Sequence, residues 1–297
     1  MEFQYKPLPS DSVAIRILEL HPGRRGEKIA CSLQQISFPP ADGETYEPLS
    51  YYWGDSRDKV SIIVENCSFE VTRNLHAALD RLRLTDKKRR MWVDAICINQ
   101  DDDIEKTKRV QMMREIYSYG KETLLWMGPG SRHSFISSSW NLIPKVVNGT
   151  FKYSVLDPVK NYLSLGHYNN IPGLISIFLL PYFTRVWAIQ EVAASPLVRV
   201  YYGDNESYSW DDLDPVVEDS SDWSHYSYGT RAFFGAFMNI DMARDWFQIK
   251  SMPGFHQLLE DHRFASATLA KDKIYGLLGL LPPEERELYG IVPNYLE

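Results

Sequence analysis

The stretch RVWAIQEV, residues 185–192, places a tryptophan and a glutamate four residues apart in an otherwise apolar run. Trp187 and Glu191 therefore lie one helical turn apart on the same side of a predicted helix. An indole beside a carboxylate can desolvate it and can offer a flat face to a planar ring. Glu191 is thus a candidate catalytic carboxylate. The alternative is that it marks the solvated polar edge of a packed helix.

A second group of candidates stands at the end of the stretch YEPLSYYWG, which is typical of a strand that ends at Gly54. Tyr51, Trp53 and Gly54 are predicted to lie at the carboxyl end of the first parallel strand. Open α/β sheets bind ligands at this edge. Gly54 would allow a ligand to approach the backbone closely.

Polar residues also flank the end of the run RMWVDAICI, which is predicted to be a strand covered on both faces. Asp94 interrupts this run and Asn99 follows it, at the same edge of the sheet as Tyr51. Each either binds a ligand or hydrogen-bonds loop backbone. Arg185 either binds phosphate or pairs structurally near Glu191, and the structural pairing is the simpler interpretation.

Alternating strand and helix patterns indicate an α/β fold with a largely parallel sheet and flanking helices. Residues 46–297 are interpreted as one domain, and residues 1–45 as an N-terminal extension that packs on it. Residues 129–180 are weakly patterned and are interpreted as a helical insertion. The other predicted elements are a hairpin over 60–72, helices over 73–83, 104–120, 182–195 and 271–283, and strands over 122–128 and 197–203.

Composition excludes several classes of function. A net charge of −7 argues against nucleic acid as the main partner. The longest apolar run, IPGLISIFLLPYF, is too short and too interrupted by proline to span a bilayer. The 3 cysteines and 7 histidines are scattered without metal-ligand spacing, so no metal site is predicted and a reducing, cytoplasmic location is expected. No phosphate-binding loop, dinucleotide-binding glycine motif or nucleophile elbow is present.

Five segments, in this order, resemble the signatures of the fungal heterokaryon incompatibility (HET) domain: YEPLSYYWGD, RRMWVDAICINQDD, VQMMREIYSYGKETLLWMG, YFTRVWAIQEV and KDKIYGLLGL. The resemblance covers residues 46 to 280. It implies an intracellular module of fungal self/non-self recognition whose activation triggers cell death.

The HET domain is in turn similar, more remotely, to TIR domains, some of which cleave NAD at the nicotinamide glycosidic bond. This similarity implies a TIR-like (flavodoxin-like) fold. TIR domains have a Ser-Tyr pair with an acid five residues after the serine, a spacing that Ser50, Tyr51 and Asp55 reproduce. They also have a W-x-x-x-E motif whose glutamate is catalytic in the NAD-cleaving members, and Trp187 and Glu191 match it.

Three hypotheses remain open at this stage. The first is an enzyme that cleaves NAD with Glu191 and needs no cofactor. The second is a signalling module that acts by self-association and recruitment of a partner protein, with or without a bound nucleotide. The third is that the motifs only maintain the α/β core. Besides catalytic Glu191, the expected substrate-binding residues are Ser50, Tyr51, Trp53, Gly54, Asp55, Asp94, Asn99, Arg185 and Trp187.

Overall fold

Within the residues that the structure describes, a nine-stranded mixed sheet forms the centre of the fold. The computed structural model describes residues 3–9, 13–130, 135–150, 173, 176–214, 216 and 228–296. In chain order the strands are β1 (Ala14–Leu20), β2 (Ala30–Ser37), β3 (Glu47–Tyr51), β4 (Lys59–Val64), β5 (Cys67–Thr72), β6 (Arg89–Trp92), β7 (Thr123–Trp126), β8 (Val198–Tyr201) and β9 (Tyr208–Ser209).

The strands lie in the order β5-β4-β2-β1-β6-β3-β7-β8-β9. The four strands β6, β3, β7 and β8 run parallel. Strand β1 pairs antiparallel with both β2 and β6, and β4 with β5. The prediction of a mostly parallel sheet therefore holds for these four strands and for the β2–β4 pair. Strands β1, β5 and β9 pair antiparallel with their neighbours, so the sheet as a whole is mixed.

Helices cover both faces of the sheet. Leu124 and Trp126 belong to one hydrophobic core and Leu125 to the other, because successive residues of a strand point to opposite faces. The helices are α1 (Arg73–Leu82), α2 (Asp94–Cys97), α3 (Asp103–Gln111), α4 (Met113–Ser118), α5 (Phe135–Trp140), α6 (Ile143–Val147), α7 (Val186–Ala193), α8 (Tyr228–Gln248), α9 (Phe255–Asp261), α10 (Asp272–Leu278) and α11 (Pro283–Tyr289).

Local sequence signals predicted several of these elements. Strands β4 and β5 form the expected hairpin, and its turn residues Glu65 and Asn66 both adopt positive φ angles of 50° and 64°. The Thr72 hydroxyl caps α1 by accepting a hydrogen bond from Leu75 N at 3.3 Å. Strands β7 and β8 and helix α10 are also confirmed.

Several predicted elements have different boundaries. The helix predicted over 104–120 is interrupted at Met112 and forms α3 and α4. Strand β6 ends at Trp92, and Asp94 is the first residue of α2 rather than an acid inside a strand. Its carboxylate accepts the backbone N–H of Ala95 at 2.7 Å, an arrangement that favours the start of a helix. The helix predicted over 182–195 begins at Val186, because Arg185 is extended and separates α7 from a short 3₁₀ helix, Pro181–Thr184.

The two flanking segments contribute to the architecture in different ways. Residues 1–45 supply β1 and β2, which pair with β6 and β4. Helices α5 and α6 lie within residues 129–180, whereas residues 131–134, 151–172, 174 and 175 of that segment lie outside the described residues. In the described ranges, no helix is both long enough and apolar enough to cross a membrane.

Gly120→Ala is expected to lower the free energy of unfolding by about 1 to 3 kcal/mol. A Cβ atom at this buried position would lie 2.4 Å from the ring carbons of Pro48, which belongs to β3 and cannot rotate away. Urea unfolding measures the change. The control is Gly235→Ala in α8, where a Cβ atom meets nothing within 4 Å and should stabilise the helix by about 0.5 to 1 kcal/mol. Equal stabilities of the two variants would contradict the close packing at Gly120.

Candidate functional site

Ionisable and hydroxyl side chains lie close together at the carboxyl end of β3. Strands β3 and β6 are parallel neighbours, so the residues that follow them share one edge of the sheet. The segment before α7 and one face of α7 approach the same place. We call these residues the carboxyl-edge cluster: Ser50, Tyr51, Asp94, Tyr182, Arg185 and Glu191.

Glu191 is the centre of the cluster's hydrogen bonds. Its two carboxylate oxygens accept hydrogen bonds from the two terminal nitrogens of Arg185, at 3.1 and 3.2 Å. The Ser50 hydroxyl donates to the same carboxylate. The Tyr182 hydroxyl lies 2.6 Å from Ser50 Oγ. Both oxygens of Glu191 are therefore paired within the protein.

Glu191 is buried, with 2% of its surface exposed. Its helix α7 is enclosed on nearly all sides, since Ala188, Ile189, Gln190 and Val192 are buried as well. The interpretation of Glu191 as a solvated helix edge is therefore wrong. The run around it is apolar because α7 is a core helix, and a buried carboxylate in such a place needs the pairing that Arg185 and Ser50 supply.

Two glycines, one in α10 and one directly after it, pack closely against α7. A Cβ atom on Gly276 would lie 3.2 and 3.3 Å from the methyl groups of Val186, and one on Gly279 would lie 2.6 Å from the amide of Gln190. Gln190 precedes Glu191 in the chain. The C-terminal part of the domain therefore helps to set the position of the carboxylate.

The charges of the cluster act strongly on one another. Burial alone would lower the pKa of Arg185, but Glu191 and Asp94 raise it above its ordinary value, so the guanidinium stays charged. Burial, together with Glu191, raises the pKa of the Tyr182 hydroxyl, which stays neutral. Burial raises the pKa of Tyr51 too, and a hydrogen bond and the charge of Asp94 add to this effect.

Asp94 is the second carboxyl group of the cluster. Its oxygens accept the indole N–H of Trp53 at 2.9 Å and the backbone N–H of Ala95 at 2.7 Å. Burial raises its pKa to about 6 and the charge of Glu191 adds to this, whereas Arg185 and the two hydrogen bonds act in the opposite direction. Two carboxyl groups thus share one guanidinium.

Asp94→Asn is expected to remove a pH-dependent loss of stability. The pKa of Asp94 is about 6 in the folded protein and about 3.9 in an unfolded chain, so the folded state binds this proton more tightly. The free energy of unfolding therefore falls as the pH rises from about 4 to about 6, by at most about 3 kcal/mol, and this loss persists at higher pH. Urea unfolding at about pH 4.5 and pH 7.5 should show a smaller loss in the variant than in the wild type.

The matched control for this experiment is Asp55→Asn at the same edge of the sheet. Asp55 is exposed, and a hydrogen bond from Arg57 lowers its pKa, so it titrates below the tested range. This variant should keep the pH dependence of the wild type. If the stability of Asp94→Asn depended on pH as that of the wild type does, ionisation of Asp94 would not lower the free energy of unfolding.

Aromatic side chains line the exposed side of the same edge. Trp53 and Tyr52 are 38% and 42% exposed, and Trp53 is held by its hydrogen bond to Asp94. Gly54, which follows them, adopts a φ angle of +80°, which explains why this position is a glycine. The indole therefore offers a partly open ring face next to a carboxyl group.

Three of the predicted site residues have other surroundings. Asp55 is exposed and pairs with Arg57 at 2.8 Å. Asn99 accepts the backbone N–H of Asp101 at 3.3 Å, which is the loop-backbone bonding considered as its alternative role. Trp187 is partly buried and packs against both hydrophobic cores.

Comparison with known proteins identifies the segment that carries the cluster. Residues 46–191 match the family model described as heterokaryon incompatibility protein (HET). This segment is therefore similar to the HET domain family. The chain is also similar to heterokaryon incompatibility protein 6, OR allele, from Neurospora crassa, with 36% identity over 138 residues. That alignment covers 41% of this chain and 20% of the relative's length. No solved structure matches the chain.

All six residues of the carboxyl-edge cluster lie within the HET domain match. Sequence reasoning found five of them and missed Tyr182, whose hydroxyl reaches Ser50 from the 3₁₀ helix before α7. The available signal was its place in the segment YFTRVWAIQEV, three residues before Arg185. Tyr117 was also missed. Burial, with the charges of Glu191 and Asp94, raises the pKa of its hydroxyl, which donates to Leu49 O at 3.0 Å.

Cavities border the described part of the matched segment and the residues after it, and two of them bear on the site. One, of about 300 Å³, lies beyond the carboxyl ends of β7 and β8 and is lined by polar groups such as Ser137, Asn141 and Asn205. The other, of about 460 Å³, lies beside α10 and α11 and includes Gln190. Neither is lined by Glu191. Within the described ranges, no group of three or more His, Cys, Asp or Glu side chains could hold a metal ion.

Proposed function

We propose that this chain is an intracellular effector of fungal self/non-self recognition, and that its HET domain triggers cell death by cleaving NAD at the bond between nicotinamide and ribose. Glu191 is the catalytic carboxylate. The observation that carries the proposal is a buried carboxylate, held by Ser50 and Arg185, at the carboxyl edge of the four parallel strands.

The order of the parallel strands supports a TIR-like, flavodoxin-like assignment of the fold. Numbered among themselves in chain order, β6, β3, β7 and β8 lie as strands 2-1-3-4, which is the beginning of the flavodoxin-like order. In such sheets the ligand binds outside the carboxyl ends, where the strand order reverses. This point lies between β3 and β7, and Ser50 and Tyr51 pair there with Leu125 and Trp126.

Cleavage of the bond between nicotinamide and ribose requires little from the protein beyond one fixed carboxylate. When the bond between ribose C1′ and the pyridinium nitrogen breaks, its electron pair goes to the ring, and nicotinamide leaves as a neutral molecule without being protonated. The ribose carbon develops positive charge, which resembles the transition state of glycoside cleavage and is stabilised by a nearby carboxylate. Water then adds to C1′ and releases a proton, which gives ADP-ribose.

The other residues of the edge have supporting roles in this proposal. Trp53 supplies a flat face for the nicotinamide or adenine ring. Asp94 and Ser50 bind sugar hydroxyls or orient Glu191, and Arg185 neutralises the carboxylate or the phosphates of the substrate. Tyr51 and Gly54 border the place where the ribose lies. No cofactor is required, since NAD is itself the substrate.

The described conformation corresponds to an inactive state in this proposal. Glu191 is 2% exposed and bound on both oxygens, so substrate reaches it only after the cluster rearranges. A requirement for self-association or for a partner protein would keep a toxic activity off until it is needed.

The experiment incubates the purified wild-type protein with NAD, at low and high protein concentration and after enforced dimerisation through a fused domain. Chromatography separates the products. The proposal expects nicotinamide and ADP-ribose in equal amounts, with more turnover per molecule in the associated protein. A folded protein that releases no nicotinamide under any of these conditions would overturn NAD cleavage.

The second candidate is a non-enzymatic signalling module that kills through oligomerisation and recruitment of a partner. The specific observation in its favour is that both oxygens of Glu191 are already satisfied within the protein, as in a structural network. Expression of Glu191→Gln in a fungal host separates the two. Cell death that persists at wild-type levels, with the variant protein folded, would favour the signalling module.

A further inference from the structure

Arg185 is the more exposed partner of the buried carboxylate. Its side chain is 15% exposed, whereas that of Glu191 is 2% exposed, and each of its terminal nitrogens donates to a different oxygen of Glu191. A ligand that approaches the carboxyl edge therefore meets the guanidinium before it meets the carboxylate.

The backbone at Arg185 is held in place, so a change there must come from the side chain. Arg185 forms a parallel bridge with Ser266, and Val186 N donates to Ser266 O at 2.9 Å. Arg185 N also donates to Tyr182 O at 3.2 Å. Beyond Glu191, the guanidinium faces the Tyr182 ring, whose centre lies 5.9 Å away. Rotation of this one side chain would uncover Glu191 without moving α7.

Phosphate is the ligand that competes best with a carboxylate for such a guanidinium. The planar fork of arginine binds either group through two parallel N–H···O hydrogen bonds. A dinucleotide carries two linked phosphates between its two sugars. It can therefore replace both hydrogen bonds that Arg185 makes to Glu191.

We infer that Arg185 is the phosphate-binding residue of the carboxyl edge. A nucleotide diphosphate binds Arg185 in place of Glu191, and the carboxylate is then free of its hydrogen bonds to the guanidinium. Binding of the substrate would itself complete the site. This inference rests on the proposed nucleotide site, but it does not depend on cleavage. Arg185 is then a binding and positioning residue, and Glu191 is its counterion while the site is empty of nucleotide.

The exchange has a consequence for protons. When phosphate binds Arg185, the carboxyl groups of Asp94 and Glu191 lose the cation that they share. One of the two carboxyl groups must then take up a proton. Asp94 is the better placed, because its pKa is already about 6. Four side chains act on the Asp94 carboxyl group. They are Tyr51 at the end of β3, Trp53 after it, Arg185 directly before α7 and Glu191 in α7. Nucleotide binding should therefore tighten as the pH falls from about 8 to about 6.

The test is isothermal titration with ADP-ribose, which holds the diphosphate but has no nicotinamide to lose, and with adenosine, which has no phosphate. The wild type should bind ADP-ribose at least about tenfold more tightly than adenosine. Arg185→Lys keeps the charge but loses the fork, and it should weaken ADP-ribose binding by about tenfold. Glu191→Gln removes the competitor, and it should tighten ADP-ribose binding by about fivefold or more.

The matched controls are Arg199→Met and Glu122→Gln. These residues form a guanidinium–carboxylate pair at the amino ends of β8 and β7, with 2.9 Å between Arg199 Nε and Glu122 Oε1. Neither change should alter the affinity for ADP-ribose. Circular dichroism confirms that each variant is folded before it is titrated.

The outcomes separate the inference from the proposed function. If ADP-ribose binds with the expected pattern but NAD is not cleaved, the inference stands and the enzyme proposal fails. If NAD is cleaved but Arg185→Lys binds ADP-ribose like the wild type, the inference fails and the enzyme proposal stands. Unchanged or weaker binding by Glu191→Gln would overturn the exchange of partners, as would the absence of ADP-ribose binding in both wild type and Glu191→Gln.

Discussion

Replacing Glu191 by alanine is expected to lower the free energy of unfolding by about 3 to 5 kcal/mol, because it leaves Arg185 with its charge largely buried and without the carboxylate to which both of its terminal nitrogens donate. The Ser50 hydroxyl loses its acceptor in the same variant. Glutamine keeps the shape and one acceptor oxygen, so Glu191→Gln should cost less, about 1 to 2 kcal/mol. Urea unfolding at neutral pH measures both changes.

Glu122→Ala provides the control for this prediction. Glu122 also pairs with an arginine, but Arg199 is 41% exposed, so water can replace the lost partner. Its removal should cost about 1 kcal/mol or less. A Glu191→Ala protein as stable as the Glu122→Ala protein would show that the pair with Arg185 is not a buried ion pair in solution.

Arg185→Met is expected to destabilise the protein by about 2 to 4 kcal/mol, since it leaves the Glu191 carboxylate buried with only Ser50 as a partner. The effect should be somewhat smaller than that of Glu191→Ala, because Arg185 itself is partly exposed and water can enter where it lay. Denaturant unfolding measures this change as well, with Arg199→Met as the exposed control that should change little.

The double variant Arg185→Met with Glu191→Gln distinguishes loss of the pair from loss of packing. Once the carboxylate is neutral, removal of the arginine should be much less costly. The double variant should therefore be more stable, by at least about 1 kcal/mol, than the sum of the two single changes predicts. Strictly additive effects would show that Arg185 stabilises the fold through its aliphatic chain alone.

The carboxyl edge could be predicted from sequence because its residues follow local signals. A strand-like run ending at Gly54 and a later apolar run over residues 90–98 indicated two parallel strands, and the ends of such strands share an edge. The spacing of Trp187 and Glu191 predicted their place on one helix. These signals are short apolar runs of strand length and the spacing of helical residues, which the chain carries without any tertiary contact.

The partners of Glu191 could not be predicted in this way. Ser50 donates to Glu191 across 141 positions of the chain, and Tyr182 reaches Ser50 across 132. Such contacts depend on how α7 packs on the sheet, which no local pattern records. The same limit applies to residues 1–45, since β1 and β2 join the sheet through long-range pairing with β6 and β4.

Helix α8 was missed for a different reason. It spans 21 residues, but the sequence before it is acidic, aromatic and rich in turn residues. Its buried residues Phe234, Phe237, Ile240 and Ala243 recur every third position, which was the available signal. Helix α10, by contrast, stands out because the double proline Pro282–Pro283 follows it closely.

The structural role of Glu191 does not compete with the catalytic role proposed for it. A carboxylate that must act without water around it has to be buried, and a buried carboxylate has to be paired when no substrate is present. Arg185 and Ser50 provide this pairing in the described conformation. Loss of stability on mutation therefore says nothing against catalysis, and activity has to be measured on variants that are shown to be folded.

The most direct test compares nicotinamide release from NAD by the wild type, Glu191→Gln and Glu122→Gln, each as an enforced dimer and at a temperature where all three are folded. We expect equal turnover by the wild type and Glu122→Gln, and a decrease of at least about 100-fold for Glu191→Gln. Turnover by Glu191→Gln at the rate of the wild type would contradict the central claim, because the carboxylate at the centre of the cluster would then not be the group that cleaves NAD.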